Sequence, residues 1–404
     1  DPDNPIRHFN LGCAFHNDQR RAEATESFRT AIRLKADFAD AYSNLGVVLR
    51  ELGDRDAAFV ACRRALELSP DDPDCRTNLW HLLLLTGQLE EGWREYEWRL
   101  KQKKAAIRLR DFTQPLWRGE ALGERVLLLH AEQGLGDTIQ FCRYVPIAAE
   151  RARVVLVAPP ALVRLLSGLE GVQRVIASGD KLPHYDVQRP LMSLPRVFGT
   201  TLDTIPAKIP YLRAEPARAA AWRQRLIGLD GLRIGLVWAG LIRPHEPTAN
   251  LRSTTLERLA PLAAIPGTTF ISLQKGDAAA EIRSLPPGLV VHDWTAELDD
   301  FSETAALIDN LDLIVSVDTS VAHLAGALGK PVWLLARSDA CWRWLLDRQD
   351  SPWYPTLRLF RQPSFGDWDG VVRQVHSALE GVVHDREQLR HGGVSSADYI
   401  PAGR

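Results

Sequence analysis

Hydrophobic positions follow two different periods along the chain. Up to about residue 100 they recur at helical spacing, with no strand-like alternation between them. From "RVLLLHAE", residues 125–132, short apolar runs alternate with amphipathic stretches, which predicts strands separated by helices. The chain therefore divides into an all-helical part and a longer α/β part.

The helical part repeats itself with a period of 34 residues. This period is typical of tetratricopeptide solenoids, in which each helix pair buries its apolar face against the next pair. In the second of three units, a small residue such as Gly46 lets the two helices approach closely, and Gly53-Asp54 supplies the turn. The repeated positions are Asn10, Asn44 and Asn78, the leucine that follows each of them, Ala24, Ala58 and Gly92.

The repeated asparagine has two interpretations. An amide on the same face of each unit would form a ladder whose donors and acceptors can hold a peptide backbone. The alternative is that Asn10, Asn44 and Asn78 only stabilise the packing between helices. The basic run "KQKKAAIRLR" that follows is interpreted as a solvated connector helix.

The α/β part contains the strand pattern twice. Strands are predicted at 125–131, 154–158, 173–177 and 186–189, with helices near 137–150 and 160–168. After a Pro-rich passage the alternation restarts with "LRIGLVWAG", "TTFISLQ", "LVVHDW", "LDLIVSV" and "PVWLLA". We therefore predict two Rossmann-like α/β domains after the repeats. The expected domains are 1–108 for the repeats and connector, 109–228, 229–384, and a tail at 385–404.

Composition excludes several classes of function. With 404 residues, 45% hydrophobic and 25% charged, the chain is typical of a globular protein of two or three domains, and a net charge of -2 gives no attraction to nucleic acid or anionic membranes. Five scattered cysteines without a metal-binding spacing favour a reducing compartment, and no run is long enough to span a membrane. We expect a cytoplasmic protein, although the start at Asp1 leaves a removed segment open.

Two loops at carboxyl ends of predicted strands carry candidate chemistry, because ligands of such sheets bind at that edge. The first, "HAEQGLGDTIQF" at 130–141, has two glycines between a strand and a helix but lacks the third glycine of the dinucleotide fingerprint, which disfavours a nicotinamide enzyme. Asp137 in this loop is either a helix cap or a general base facing the cleft.

The second loop lies in "VSVDTSVAHLAGALGKPVW", residues 315–333. Hydroxyl groups, backbone amides and the helix dipole converge at a helix that starts near Ser320, which suits phosphate oxygens. His323, one turn into the helix, can add a hydrogen bond. The alternative is that Thr319 or Ser320 only caps the helix. The segment predicted to hold a diphosphate is Asp318, Thr319, Ser320, Val321, Ala322 and His323.

Single residues extend the predicted donor site. Lys275 and Arg252 could neutralise phosphates, Glu281 could accept a ribose hydroxyl, and Trp342 could stack on a base or sugar; solvated or core positions are the alternatives. Asp367-Trp368-Asp369 has the form of a metal–nucleotide motif but precedes a helix, so we interpret it as a cap and expect no metal. Residues assigned to the donor nucleoside or sugar are Gly136, Gln140, Trp238, Gly240, Gln274, Glu281 and Trp342.

From about Trp117 to Val382 the chain resembles bacterial heptosyltransferases of glycosyltransferase family 9, which have the GT-B architecture. The resemblance rests on "EQGLGDTIQFCRYVP", "SLQKG", "SVDTSVAHLAGALGKPVWLL" and "DSPWYPTLRLFRQP". The arrangement of repeats before a catalytic part is similar to that of O-GlcNAc transferases.

This resemblance implies a metal-independent, inverting transfer from a nucleotide sugar. It makes Asp137 the base and Asp318, Thr319, Ser320 and His323 the element that holds the donor diphosphate. The loop at 241–250 departs from the form that we expect in repeat-linked relatives.

The expected function is a glycosyltransferase whose acceptor is a protein or peptide bound by the repeats. The alternatives are a non-catalytic scaffold with a degenerate GT-B part, and a nucleotide-sugar epimerase of the same architecture. The sequence leaves open the base, the sugar, the acceptor and the oligomeric state.

Overall fold

The computed structural model describes residues 2–101, 112–241, 250–285, 287–339 and 341–391. The predicted connector helix and most of the predicted tail lie outside these ranges. The chain forms two compact units. The first comprises residues 1–109, 198–204 and 341–346, and the second comprises residues 110–197, 205–340 and 347–404.

The first unit is built from three helix pairs, which confirms the predicted repeats. Each pair packs its two helices together and then packs against the next pair. The helices are α1 (Pro5–Asn17), α2 (Arg21–Leu34), α3 (Ala39–Glu51), α4 (Arg55–Leu68), α5 (Pro73–Leu85) and α6 (Leu89–Tyr96).

Local sequence explains where these helices start and how closely they pack. The Asp54 carboxylate caps α4 by accepting a hydrogen bond of 3.2 Å from the Ala57 amide, and Gly53 before it adopts a φ of +86°, which favours glycine. Gly46 lies so close to Cys62 that a methyl group there would overlap the sulfur atom. The small residues predicted at the helix contact therefore serve close packing.

The second unit contains two fully parallel sheets. The first sheet has the strand order β3-β2-β1-β4, and the second has β10-β9-β8-β5-β6-β7. Central strands are buried on both faces, as expected for parallel sheets covered by helices. The strands are β1 (Val126–His130), β2 (Arg153–Ala158), β3 (Val172–Ala177), β4 (Val187–Pro190), β5 (Leu232–Val237), β6 (Thr268–Ser272), β7 (Val291–Asp293), β8 (Leu313–Val317), β9 (Val332–Ala336) and β10 (Leu357–Arg361).

Helices connect the strands of these sheets. Two of the connections in the second sheet, Glu257–Ala264 and Asp277–Ser284, are 3-10 helices, and the first of them contains Pro261. The α-helices are α7 (Leu135–Phe141), α8 (Val145–Ala149), α9 (Pro160–Leu166), α10 (Leu194–Val197), α11 (Pro216–Arg225), α12 (Phe301–Ile308), α13 (Ser320–Ala327) and α14 (Trp368–His391).

The predicted architecture of helical repeats followed by parallel α/β domains is confirmed, with two local differences. The helix expected near 137–150 is broken into α7, a 3-10 turn and α8, and Pro146 in α8 supplies no amide for a continuous helix. Strand β10 was not predicted. Each sheet lies within one predicted domain, while the domain boundaries themselves stay predictions.

Two further features are the apolar content of the helices and the state of the cysteines. Within the described ranges, no helix has the length and apolar content needed to cross a membrane. The five cysteines are all free, and burial raises the pKa of the Cys62 and Cys142 thiols to about 12.

Candidate functional site

The loop after β1 places Asp137 in the first turn of α7. The Asp137 Oδ2 atom accepts a hydrogen bond of 2.8 Å from the amide of Gly134, the residue that caps the helix. Asp137 is thus the third residue of the helix and not its N-cap, but its carboxylate does accept a backbone amide at the helix start, which holds the half-buried side chain in place. Capping does not exclude the predicted role as a base, which stays a prediction.

The loop after β8 leads into α13 with its first amides pointing out of the helix end. Thr319 occupies the capping position, but its hydroxyl lies 3.1 Å from the Ser316 hydroxyl and does not bond the helix amides. The amides of Ser320, Val321 and Ala322 have no partner within the helix by its geometry. The side chains of Val321 and Ala322 are buried, so only their backbone could meet a ligand.

These two loops meet inside the second unit. A Cβ atom added at Gly136 would lie 2.9 Å from His323 Cδ2 and 3.4 Å from Ser320 Cα. Glycine at 136 therefore allows the start of α7 to touch the start of α13. The sequence motifs that we assigned to the base and to the diphosphate are neighbours in space.

His323 is buried, with 4% of its surface exposed, and both ring nitrogens face polar groups. Its Nδ1 atom lies 2.9 Å from the Tyr354 hydroxyl, and its Nε2 atom lies 3.9 Å from Asp318 Oδ1. Tyr354 thus contacts the imidazole at Nδ1, and Nε2 lies at the opposite edge of the ring, nearer Asp318 and Gly136.

Gln274 and Trp238 shape the loop after β5 from inside the protein. The Gln274 Oε1 atom accepts hydrogen bonds from the Trp238 and Ala239 amides, at 3.0 and 2.8 Å, and its amide group donates to the Ala239 carbonyl. Trp238 is fully buried in the core of the second sheet. The geometry gives both residues a role in holding the loop, and their predicted contact with the donor finds no support in it.

Arg252 packs against Gly240 in the loop after β5. A Cβ atom at Gly240 would overlap the Arg252 side chain, lying 2.9 Å from its Cζ, and the Gly240 amide donates a hydrogen bond of 3.1 Å to the Ser253 hydroxyl. The Nε atom of Arg252 is buried and has no hydrogen-bond partner among the described residues. Residues 242–249 of the departing loop lie outside the described ranges.

Lys275 and Glu281 have partners that the sequence did not indicate. The Lys275 ammonium donates to the Thr295 and Leu298 carbonyls at 2.9 and 2.7 Å, which uses two of its three N–H bonds. One carboxylate oxygen of Glu281 accepts a hydrogen bond of 2.7 Å from the Leu256 amide. Both contacts brace loops, so the predicted phosphate and ribose contacts stay predictions without geometric support.

Trp342 and Gln140 are core residues in the structure. The Trp342 ring belongs to the repeat unit, where it packs edge-on against Trp93 at a centroid distance of 5.4 Å and is almost fully buried. Gln140 is fully buried in α7. The stacking of Trp342 on a base or sugar stays a prediction, and the structure shows this ring packed within the repeat unit.

The asparagine ladder favours the structural alternative at two of its three positions. The Asn44 amide donates 2.9 Å to the Asp40 carbonyl in its own helix, and the Asn78 amide donates 2.8 Å to the Ser43 hydroxyl. Asn10 is exposed on α1. Peptide binding by these residues stays a prediction.

The D-x-D segment caps a helix, as expected. The Asp367 Oδ1 atom accepts a hydrogen bond of 2.7 Å from the Gly370 amide at the start of α14. In the part of the chain that the structure describes, no group of three or more His, Cys, Asp or Glu residues is arranged to hold a metal ion.

Sequence reasoning missed a buried arginine beside the site. Arg143 follows α7 and contacts Tyr211 and Tyr354, which come from segments 68 and 211 residues away. Arg143 and Tyr354 lie within two of the motifs quoted above, but only the fold brings them together. A charged residue among the apolar positions of "IQFCRYV" was the one signal in the sequence.

Comparison with known families agrees with the geometry. Residues 280–335 match the model of glycosyltransferase family 9 (heptosyltransferase), and this stretch contains the start of α13 with His323. Residues 7–38 and 39–72 match tetratricopeptide repeat models.

Individual relatives have low identity. The chain is 28% identical over 397 residues to protein FlbA of Caulobacter vibrioides, covering 91% of this chain and 66% of that protein, so it spans just under two thirds of the relative's length. A family 9 glycosyl transferase from Veillonella parvula is 13% identical, with a TM-score of 0.49, over 67% of this chain and 100% of that one. The ADP-heptose lipopolysaccharide heptosyltransferase II of E. coli is 16% identical, with a TM-score of 0.46, over 65% and 99%.

The helical repeats, the parallel sheets and the matched motifs thus lead to one assignment. The chain carries tetratricopeptide repeats at its N-terminus and, after them, a segment, residues 280–335, that matches glycosyltransferase family 9 (heptosyltransferase).

Proposed function

We propose that the protein is a metal-independent, inverting glycosyltransferase that moves a sugar from a nucleotide-sugar donor to a hydroxyl acceptor. The observation that carries the proposal is the contact between Gly136 and His323, which joins the loops of two separate sheets. One loop supplies a carboxylate and the other supplies the start of a helix. The family match over residues 280–335 supports the same reaction class.

The donor diphosphate would bind at the start of α13. The amides of Ser320, Val321 and Ala322 and the positive end of the helix dipole favour an anion there. His323 Nε2 can add a hydrogen bond, and the half-buried Arg252 can add a positive charge. These groups would stabilise the charge that develops on the leaving diphosphate, as oxyanion-binding donors do in other enzymes.

Asp137 would act as the general base. As the acceptor oxygen forms a bond to the anomeric carbon, its proton passes to the Asp137 carboxylate. The bond from the anomeric carbon to the diphosphate oxygen breaks, and the electron pair leaves with the nucleoside diphosphate. Attack opposite the leaving group inverts the anomeric centre, and the carbon passes through oxocarbenium character.

The acceptor is proposed to be a protein or peptide recruited by the repeats. Tetratricopeptide stacks present extended surfaces to partner chains, and the exposed Asn10 is available on such a surface. ADP-heptose, which the E. coli relative uses by its name, joins UDP-, GDP- and CMP-sugars as a donor to be tested.

The experiment measures release of the nucleotide from each donor (a nucleoside diphosphate, or CMP from a CMP-sugar), with candidate acceptor proteins, for wild type and Asp137→Asn. An asparagine oxygen can still accept the Gly134 hydrogen bond but cannot take up the acceptor proton. We expect Asp137→Asn to bind the donor with unchanged affinity and to lose at least about a hundredfold in turnover. Unchanged turnover would contradict the assignment of the base.

The same experiment separates the alternatives. A scaffold with a degenerate catalytic part would bind none of the donors. An epimerase would convert free sugar nucleotide in the absence of any acceptor, and its product would retain the nucleotide. Either result would contradict the glycosyltransferase proposal.

A further inference from the structure

Arg143 is a buried cation whose hydrogen bonds tie together three separate segments of the second unit. Its Nη1 atom donates 2.6 Å to the Trp353 carbonyl, its Nε donates 2.8 Å to the Gln140 carbonyl, and its Nη2 donates 3.0 Å to the Tyr211 hydroxyl. A planar guanidinium offers such a fixed fork of donors. The arginine therefore sets the positions of the groups around it.

The ring of Tyr354 is held from two sides. The Arg143 guanidinium lies over it at 4.6 Å from the centroid, and a Cβ atom added at Gly326 would lie 2.5 Å from Tyr354 Cδ1. Gly326 is one turn after His323 in α13. The tyrosine hydroxyl is thus placed beside the imidazole by the ring's packing, independently of the hydrogen bond between them.

The hydroxyl protons can be assigned by counting donors. Tyr211 donates its single proton to the Ile139 carbonyl at 3.0 Å and accepts from Arg143. Tyr354 has its hydroxyl 2.9 Å from His323 Nδ1 and 3.5 Å from the Tyr211 hydroxyl. The 3.5 Å contact lies at the limit of a hydrogen bond, so we assign the Tyr354 proton to the 2.9 Å contact, which makes Nδ1 the acceptor. Burial raises the pKa of both tyrosines, so both hydroxyls keep their protons.

A second observation leads to the same proton arrangement at the other ring nitrogen. His323 Nε2 lies 3.9 Å from a carboxylate oxygen of Asp318. A lone pair on Nε2 would face this negative charge, whereas an N–H bond is attracted by it. With Nδ1 accepting from Tyr354, the neutral imidazole carries its proton on Nε2.

We propose that Arg143 and Tyr354 are positioning residues that fix His323 as the tautomer with its proton on Nε2. In this tautomer, Nε2 can donate a hydrogen bond to a phosphate of the nucleotide sugar. The functional part of this inference rests on the proposed function. The tautomer itself does not, because it follows from contacts within the protein. A Cβ atom at Gly136 would lie 3.6 Å from Nε2, so glycine keeps a side chain of that loop away from this nitrogen.

The first test is nuclear magnetic resonance of isotope-labelled histidine, which distinguishes the two neutral tautomers and the doubly protonated ring. We expect the neutral His323 ring in wild type to carry its proton on Nε2. In Tyr354→Phe the ring remains held by Gly326 and Arg143 but has no hydroxyl, so Nδ1 loses its donor. A fraction of His323 should then carry its proton on Nδ1, in a mixture in which Asp318 still favours Nε2. A proton on Nδ1 in wild type, or an unchanged His323 in Tyr354→Phe, would overturn the proposal.

Tyr185→Phe is the matched control. Tyr185 precedes β4 of the first sheet, and its ring packs on Phe112. The Tyr185→Phe variant should leave the His323 signals unchanged. A second variant, Gly326→Ala, pushes the Tyr354 ring away while keeping its hydroxyl, and it should give the same mixture as Tyr354→Phe. Wild-type His323 signals in Gly326→Ala would count against positioning by the ring.

Calorimetry with the nucleoside diphosphate of the active donor gives the functional arm. We expect Tyr354→Phe to weaken binding about tenfold, as for one hydrogen bond to a charged group, and to have no further effect in a His323→Ala background. If the nucleoside diphosphate does not bind to wild type, the proposed function is contradicted. The resonance measurement still decides whether Arg143 and Tyr354 fix the tautomer of His323. Wild-type affinity in Tyr354→Phe would contradict the positioning role.

Discussion

Gly136→Ala tests the contact between the two site loops by adding one methyl group. The new Cβ would lie 2.9 Å from His323 Cδ2 and 3.4 Å from Ser320 Cα, and 3.6 Å from His323 Nε2. The first distance is below an ordinary carbon–carbon contact, and His323 is buried against Tyr354, so it has little room to move. The methyl group must therefore displace the imidazole or separate α7 from α13.

The magnitude follows from two opposing effects. Overpacking a buried contact costs about 1–3 kcal/mol, and replacing glycine in a helix gains at most about 1 kcal/mol. We expect a net loss of about 1–2 kcal/mol in the free energy of unfolding. Because the displaced histidine no longer reaches a phosphate, donor affinity should fall about ten- to a hundredfold.

Gly381→Ala is the matched control for this prediction. Gly381 is an exposed position inside α14, and a Cβ atom there would meet nothing within 4 Å. This variant should be slightly more stable than wild type and should bind the donor equally well. Denaturant unfolding and calorimetry measure both quantities. If Gly136→Ala behaves like Gly381→Ala in both assays, the two loops do not form one site.

Three further predictions concern the rest of the molecule. Gly46→Val should destabilise the repeats by about 1–3 kcal/mol in denaturant unfolding, because its side chain would overlap Cys62; a repeat unit of unchanged stability would refute the close contact. Since burial raises the pKa of Cys62 and Cys142 to about 12, both remain thiols at neutral pH, and alkylation followed by mass spectrometry should label them only in unfolded protein. Finally, donor binding should be the same with and without EDTA in calorimetry, and a loss of affinity on chelation would show that a metal takes part.

Local patterns were sufficient to predict most of the fold. The period of 34 residues predicted the repeats, and apolar runs such as that of β8 predicted parallel strands buried on both faces. The break between α7 and α8 was missed because the apolar spacing continues through Pro146, whereas the backbone hydrogen bonding does not. Strand β10 was missed because two of its five residues are arginines, which interrupt the apolar run that marks the other strands of this sheet.

The site was only partly predictable, because some of its contacts depend on the tertiary fold. The motifs indicated Asp137 and His323, and the contact through Gly136 joins them in space. No local pattern shows that Lys275 will bond two carbonyls or that Trp342 will join the core of the repeat unit. The role of Tyr354 was hidden for the same reason, since it lies 31 residues from His323.

The central claim is that the start of α13, beside the Asp137 loop, binds the diphosphate of a nucleotide sugar. The most direct measurement is a calorimetric titration of wild type and His323→Ala with UDP-, GDP-, ADP- and CMP-sugars. The account predicts that one donor binds to wild type with micromolar affinity and that His323→Ala weakens this binding at least about tenfold. If no donor binds to wild type, or if His323→Ala binds the donor with the same affinity as wild type, the claim is contradicted.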